Sequence, residues 1–200
     1  MLAGWINQTT QKLSRPMHSF YEYQLVARPD IAIDNHLLEE IRLLQQENRD
    51  IEIGNEKPAI VIAGFFGREA MEETMIRWIQ RICSNQLSFE VTLNNYSGVP
   101  PDTIYARIVD PLPFLQLAKQ FSDLHDFIRS SSVPPAQVTT KPYLSVVRKL
   151  NEVVFMKAMM EFSQKTFHGI FLMKELLLLR KENESREEKI VNVFRFLPKD

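Results

Sequence analysis

Residues 141–148 read KPYLSVVR, and a related stretch, KPAIVIA, occupies residues 57–63. In both stretches a Lys-Pro pair opens an apolar run rich in β-branched residues. Such a run is typical of a strand that begins at its proline, where the missing N–H breaks no ladder bond. The sequence therefore predicts two related strands, one in each half of the chain.

The alternation of side chains along these strands defines two equivalent pairs. Successive side chains of a strand point to opposite faces of the sheet, so Tyr143 and Ser145 share one face of the second strand. Ala59 and Val61 take the same two places in the first strand. The two related strands are therefore expected to carry two equivalent outward-facing pairs.

The composition is that of a globular chain able to bury a core. The protein has 200 residues, of which 44% are hydrophobic and 24% charged, and its formal net charge is -1. This charge excludes bulk non-specific binding of nucleic acid, so any RNA contact requires a local cluster of Lys and Arg.

The cysteine content and hydropathy limit the setting of the protein. The single cysteine, Cys83, excludes an intramolecular disulfide and a multi-cysteine metal site, and it is predicted to be a small buried residue on a helix. No stretch approaches the length of a membrane span, so no membrane contact and a cytoplasmic location are expected.

Hydrophobic periodicity and turn residues predict the order of the elements. A loose arm at residues 1–18 precedes a single two-lobed domain at residues 19–200. The first part of this domain is predicted to contain a strand at 19–27, a helix capped by Asp34 or Asn35, the Lys57 strand, a helix at 68–83, strands at 88–94 and 103–108, and a helix from Pro111 to Ile128. After a connection at 130–135, the second part is predicted to contain the Lys141 strand, a helix at 151–163, and strands at 171–179 and 190–196.

The order strand, helix, strand, strand thus occurs twice, in repeat halves at about residues 57–109 and 141–197. Each unit is too small to bury both faces of its sheet, so the halves are expected to pack together. A pseudo-twofold arrangement with the two Lys-Pro strands flanking a central cleft is the expected result.

The second-half pattern Lys-Pro-x-hydrophobic-Ser-hydrophobic-x-Arg resembles that of the two-histidine phosphoesterase superfamily, and specifically its bacterial 2'-5' RNA ligase-like proteins. The segments FEVTLNNYSG at 89–98 and VNVF at 191–194 also resemble that branch, and the resemblance covers about residues 20–198. It implies an α+β fold of duplicated β-α-β-β units, with antiparallel sheets lining a central cleft and helices outside.

The chain departs from this family at the positions that carry the chemistry. Family members have His-x-Thr or His-x-Ser on each strand, where one histidine acts as base and the other as acid. The hydroxyls hold the phosphate oxygens. Here Ala59 and Val61 replace the first pair, and Tyr143 replaces the second histidine beside a retained Ser145.

These replacements predict a degenerate active site with no confident catalytic residue. A phenol, with an ordinary pKa of about 10, is a poor base and a weak acid at neutral pH. General acid or base catalysis contributes roughly 10²- to 10⁴-fold per group, so loss of both histidines should bring the family reaction near background.

Binding is the function that the remaining residues favour. Lys57, Lys141 and Arg148 are cations near the two strands, Tyr143 offers an aromatic face for a base, and Ser145 offers a hydroxyl for a phosphate oxygen. The expected partner is a nucleotide or RNA end in the cleft, or a protein. The plainer alternative leaves the lysines solvated and makes Tyr143 a space-filling side chain.

The histidines give no sign of a metal or cofactor site. The four are His18, His36, His125 and His168, and none lies on a Lys-Pro strand or pairs with another at the spacing of metal ligands. No phosphate-binding glycine loop or nucleophile elbow is present either. The sequence predicts neither a metal nor a cofactor.

Two other functions stay open at this stage. The chain could be an active cyclic phosphodiesterase or RNA ligase that uses substitute groups, namely Tyr143, Ser145 and either His18 or a lysine. It could instead be a structural or interaction protein whose cleft is closed. An open cleft would argue against the latter.

Overall fold

The computed structural model describes residues 20–48, 57–121, 137–181 and 188–199. The predicted N-terminal arm, the 130–135 connection and the end of the helix predicted to reach Ile128 lie outside these residues. In chain order the described elements are β1 (Phe20–Ala27), α1 (Ile31–Glu47), β2 (Ala59–Arg68), a 3₁₀ helix (Glu69–Met71), α2 (Glu72–Cys83), β3 (Phe89–Val99), β4 (Thr103–Ile108), α3 (Leu112–Gln120), β5 (Gln137–Val138), β6 (Leu144–Val147), α4 (Glu152–Phe162), β7 (His168–Met173), β8 (Glu175–Lys181) and β9 (Glu188–Arg195).

The strands form one sheet in the order β7-β3-β4-β6-β2-β1-β8-β9, and β5 pairs with β2. All pairings between these named strands are antiparallel. One face of the sheet packs against the helices, and the other lines a cleft. The predicted α+β class and antiparallel sheet with outer helices are therefore confirmed.

The hydrophobic core lies between the sheet and the helices. Alternate residues of β1, including Tyr23 and Leu25, are buried there with Leu37 of α1. On α2 a stripe of apolar residues packs inward, with Met75 and Ile79 fully buried. Burying each such side chain contributes about 1.5–3 kcal/mol to the free energy of unfolding, because apolar surface is removed from water.

Cys83 is confirmed as a buried helix residue. It is fully buried at the end of α2 and carries a free thiol. Burial raises the pKa of the Cys83 thiol to about 12, because the thiolate would be poorly solvated there. The residue therefore acts as part of the core.

A buried polar network fixes the start of α2 against the sheet. Arg180 of β8 donates to Glu72 at 2.7 Å and to Glu69 at 3.1 Å, and the Tyr23 hydroxyl donates to Glu72 at 2.8 Å. The Arg180 guanidinium also lies over the Tyr21 ring, 4.5 Å from its centroid. Burial, followed by the hydrogen bond to Glu72, holds the pKa of Tyr23 above its ordinary value.

The two Lys-Pro strands lie side by side at the centre of the sheet. β2 pairs with β6 through Ala59 opposite Ser145 and Ile60 opposite Leu144. The repeated motif predicted that the two strands flank a central cleft, and the structure pairs them directly. This pairing places Ala59 of the first motif pair opposite Ser145 of the second.

The second of these strands is shorter than predicted. β5 pairs with β2 up to Val138 opposite Ala63, and β6 resumes at Leu144 opposite Ile60. Five residues, 139–143, therefore lie opposite only two, 61–62, and the surplus must leave the ladder. Lys141 and Tyr143 lie in this bulged segment and not in a strand.

The strand predicted at 171–179 is wrong, because two strands occupy this region. β7 ends at Met173 and pairs with β3, whereas β8 begins at Glu175 and pairs with β1 and β9. The apolar run is interrupted only by Lys174 and Glu175, which mark the point where the chain crosses between the halves of the sheet. Burial alternates along β7 but is continuous over residues 176–180 of β8.

This crossing shows which strands surround each motif strand. β2 has β1 beside it and β8 beyond, while β6 has β4 beside it and β3 beyond. Each half of the sheet thus combines strands from both parts of the chain. The assignment of the repeat halves to residues 57–109 and 141–197 stays a prediction.

The predicted start of α1 is also wrong. Asp34 and Asn35 lie inside the helix, which begins at Ile31 and is capped by Asp30. The Ile33 amide donates to Asp30 Oδ1 at 2.9 Å. Asp30, Asp34 and Asn35 are all suitable N-cap residues and lie close together in the sequence. A helix that starts after Asp30 includes Ile33, which is buried in the core.

Two strands extend beyond their predicted ends. β2 continues through Gly67 to Arg68, so the following helix starts at Glu72 instead of residue 68. β3 continues past Asn94 to Val99, because Asn95 adopts a positive φ of 54° where the register with β4 shifts. Asparagine tolerates this conformation better than most residues, and pairing resumes after it.

The helix predicted at 151–163 agrees with the structure, whereas the helix predicted from Pro111 to Ile128 is too long, because α3 ends at Gln120 with Phe121 as its C-cap. α4 spans Glu152–Phe162, and Asn151 caps it by accepting from the Val154 amide at 2.9 Å. Its inner residues Phe155 and Phe162 are buried. Among the helices described, none is long and apolar enough to cross a membrane.

Gly98 allows β3 to approach α4 closely, and this contact is testable. A Cβ atom at Gly98 would lie 2.8 Å from Phe155 Cζ and 2.9 Å from Met159 Sδ. We expect Gly98→Ala to lower the free energy of unfolding by about 1–3 kcal/mol because of overpacking, measured by urea denaturation.

The matched control for this substitution is Gly64→Ala. The nearest atom to a Cβ at Gly64 is the Tyr23 carbonyl oxygen at 4.0 Å. The free energy of unfolding should therefore change by no more than about 0.5 kcal/mol. Equal losses in both variants would contradict a special packing role for Gly98.

Candidate functional site

A cleft of about 490 Å³ opens on the face of the sheet away from the helices, where β2 meets the bulged segment 139–143. Its walls come from β1, β2, β5, β6 and that segment. The lining residues are Glu22, Gln24, Val61, Gly64, Phe65, Phe66, Gln137, Val138, Thr139, Thr140, Lys141, Tyr143, Ser145 and Arg148.

The first motif pair forms an apolar surface. Ala59 is only 3% exposed and packs with Val26, Leu177 and Leu179, and Val61 packs against the same cluster. None of these side chains can transfer a proton or donate a hydrogen bond. Val61 lines the cleft, so this half-site presents a hydrocarbon wall.

The second motif pair is polar but already engaged in contacts. Ser145 is 3% exposed, and its Oγ donates to the Ala59 carbonyl oxygen at 2.8 Å. The Tyr143 ring is half-buried and packs against Tyr105 of β4, with centroids 4.6 Å apart and planes tilted by 36°. The serine proton is therefore directed at the backbone, and one face of the tyrosine is covered.

The structure brings together four of the five candidate binding residues. Lys141, Tyr143, Ser145 and Arg148 all line the cleft. Lys57 is exposed just before β2 and is not among the lining residues. The cleft therefore has cationic groups on the side formed by the bulged segment and β6.

The sequence prediction missed an acidic and aromatic end of the cleft. Glu22 and Gln24 of β1 line it, and Gln24 Nε2 donates to Glu22 Oε1 at 3.0 Å. Phe66 lies opposite Glu22 in the register of β1 and β2. Alternation along β1 could have identified the polar pair, whereas Phe66 was missed because β2 was predicted to end too early.

The described histidines lie away from this site. His36 of α1 stacks on Phe167 with centroids 5.2 Å apart, and its Nε2 lies 3.4 Å from the Tyr96 hydroxyl. His168 is exposed on β7. His18 and His125 lie outside the described residues. Within the ranges that the structure covers, no group of His, Cys, Asp or Glu is arranged to hold a metal ion.

Comparison with known proteins identifies the family of the chain. A family model described as the 2'-5' RNA ligase superfamily matches residues 29–185. A search of the curated proteins found no significant match.

Several solved structures share the fold. E. coli LigT in complex with 3'-AMP has a TM-score of 0.62 and 13% identity, with 89% of this chain and 99% of that chain covered. TT0787 of Thermus thermophilus has a TM-score of 0.64 and 13% identity, with coverages of 88% and 97%. E. coli LigT in complex with ATP has a TM-score of 0.56 and 10% identity, with coverages of 89% and 99%. At these identities, the similarity establishes the fold.

The buried bond from Ser145 to Ala59 links the two motif strands and can be tested. Ser145→Ala removes the hydroxyl and leaves the carbonyl without this donor, so we expect a loss of about 1–2 kcal/mol in the free energy of unfolding. Urea denaturation measures it. The control is Ser163→Ala, where an exposed hydroxyl donates to the Met160 carbonyl and water can replace it. A loss at Ser145 no greater than at Ser163 would contradict the linking role.

Proposed function

This chain belongs to the 2'-5' RNA ligase superfamily, and we propose that it is a degenerate member whose cleft binds a nucleotide or an RNA phosphate end without catalysing phosphoryl transfer. The observation that carries the proposal is the pairing of Ala59 with Ser145 at the centre of the sheet. By the family resemblance, Ala59 and Tyr143 take the positions of the acid and the base, and neither is a histidine. Ser145, the hydroxyl position, lies opposite Ala59, and Tyr143 lines the cleft.

The surroundings of Ala59 support the loss of acid–base chemistry. Val26, Leu177 and Leu179 pack around it, so a charged imidazolium here would lose its hydration without gaining a partner among them. Tyr143 packs on Tyr105, and the Ser145 hydroxyl donates its hydrogen bond to the Ala59 carbonyl oxygen. These contacts disfavour the alternative in which Tyr143 and Ser145 act as substitute catalytic groups.

The cleft itself supports binding. Its volume of about 490 Å³ falls in the range of small-molecule sites, which supports an open cleft over the alternative of a closed one. Lys141 and Arg148 suit an anionic ligand, since cations form charge-assisted hydrogen bonds with phosphate oxygens. LigT, which shares the fold, has been crystallised with 3'-AMP and with ATP.

The test combines calorimetric titration with 3'-AMP and chromatographic analysis of 2',3'-cyclic AMP after incubation with the protein. We expect the wild type to bind 3'-AMP and to leave the cyclic phosphate at the rate of its spontaneous hydrolysis. Lys141→Ala should weaken binding roughly tenfold, because one charge-assisted contact is lost.

The charge-matched control is Lys119→Ala, which removes an exposed lysine from α3 and should leave the affinity unchanged. Turnover of the cyclic nucleotide above background would refute the loss of catalysis. Absence of binding, or equal weakening by both lysine variants, would refute the binding role of the cleft.

A further inference from the structure

One end of the cleft has a chemistry that a phosphate site does not explain. Glu22 lies opposite Phe66, and Gln24 lies opposite Gly64, in the pairing of β1 with β2. All four residues line the cleft and are called the Glu22 subsite. A carboxylate here repels phosphate, so the anionic group of a ligand should lie at the other end, near Lys141 and Arg148.

The shape of the Glu22 subsite suits a planar group. The Phe66 side chain is 42% exposed although it is a large aromatic residue on a central strand. Beside it, Gly64 contributes no side chain, and a Cβ built there would meet no atom nearer than 4.0 Å. An exposed ring next to open space is the arrangement on which a nucleobase stacks.

The position of the subsite also suits a nucleotide. The Thr139 amide donates to the Ile62 carbonyl at 2.9 Å, which fixes the bulged segment carrying Lys141 beside Ile62. Phe66 follows Ile62 by four positions along β2, which corresponds to a distance of about 13 Å along an extended strand. The base and the phosphate of a single nucleotide can therefore occupy the two ends of the cleft.

The hydrogen-bonding groups select the kind of base. A carboxylate accepts hydrogen bonds and donates none. The Glu22 carboxylate is held in place by the hydrogen bond that it accepts from Gln24 Nε2. Guanine presents two adjacent donors, N1–H and the N2 amino group, to such an acceptor. Adenine presents one amino group beside an acceptor nitrogen, which a carboxylate repels.

We infer that the Glu22 subsite binds the base of a guanine nucleotide, with the ring stacked on Phe66 and its N1–H and N2 amino group donating to Glu22. This inference rests on the proposed function and names the ligand class of the same cleft. The phosphate of the nucleotide then lies toward Lys141.

The experiment compares 3'-GMP, 3'-IMP and 3'-AMP by calorimetric titration. We expect the wild type to bind 3'-GMP about tenfold more tightly than 3'-AMP, with 3'-IMP between them because it lacks the N2 amino group. Glu22→Gln should abolish this preference while changing the affinity for 3'-AMP less than about threefold. Phe66→Ala should weaken all three at least about fivefold, since stacking is lost.

The matched control is Glu39→Gln, which changes an exposed glutamate of α1 that is paired with Arg42. It should leave the preference unchanged, and thermal melting confirms that each variant is folded. Equal affinity of the wild type for 3'-GMP and 3'-AMP, or a preference retained in Glu22→Gln, would overturn the Glu22 subsite and leave the proposed function standing. Failure of all three nucleotides to bind would overturn both.

Discussion

The pairing of β2 with β6 is the constraint on which the described structure depends. Two register pairs join these strands, and the buried Ser145 hydroxyl adds a bond to the Ala59 carbonyl. In the order of the described strands, β4, β3 and β7 follow on one side of this junction, and β1, β8 and β9 follow on the other. The cleft lies at the junction, so the contact that joins the halves of the sheet also positions the site.

The same junction determines what both motif pairs present to the cleft. A hydroxyl that bonds to a neighbouring strand stabilises the sheet but directs its proton away from a ligand. In the first motif pair, Ala59 packs against Val26, Leu177 and Leu179, so this half of the site is apolar. What remains accessible is a cationic side around Lys141 and an acidic, aromatic end around Glu22 and Phe66. This distribution of charge is the one that the proposed binding of a nucleotide, a ligand with unlike ends, requires.

The sequence predicted the parts of the fold that depend on local pattern. The two Lys-Pro motifs identified the central strands, and periodicity identified the helices α2 and α4. The sequence prediction failed where pairing between strands that are distant in the sequence determines the bounds of the elements. Nothing local distinguishes the end of β7 from the start of β8 except Lys174 and Glu175, and the bulge at 139–143 arises from unequal lengths of paired strands. At the Glu22 end of the cleft, alternation along β1 could have identified Glu22 and Gln24, whereas Phe66 was missed because β2 was predicted to end too early. Only the register of β1 with β2 brings Glu22 and Phe66 together.

The function proposed for the cleft has two parts, namely that it binds a nucleotide phosphate and that it leaves this phosphate chemically unchanged. Phosphorus NMR of a 2',3'-cyclic nucleotide mixed with a stoichiometric amount of the protein tests both parts at once. We expect the cyclic phosphate resonance to shift or broaden on binding and to keep its full intensity over hours, with no phosphomonoester signal above that of the protein-free sample. A growing monoester signal, or a resonance unaffected by the protein, would contradict the proposed function.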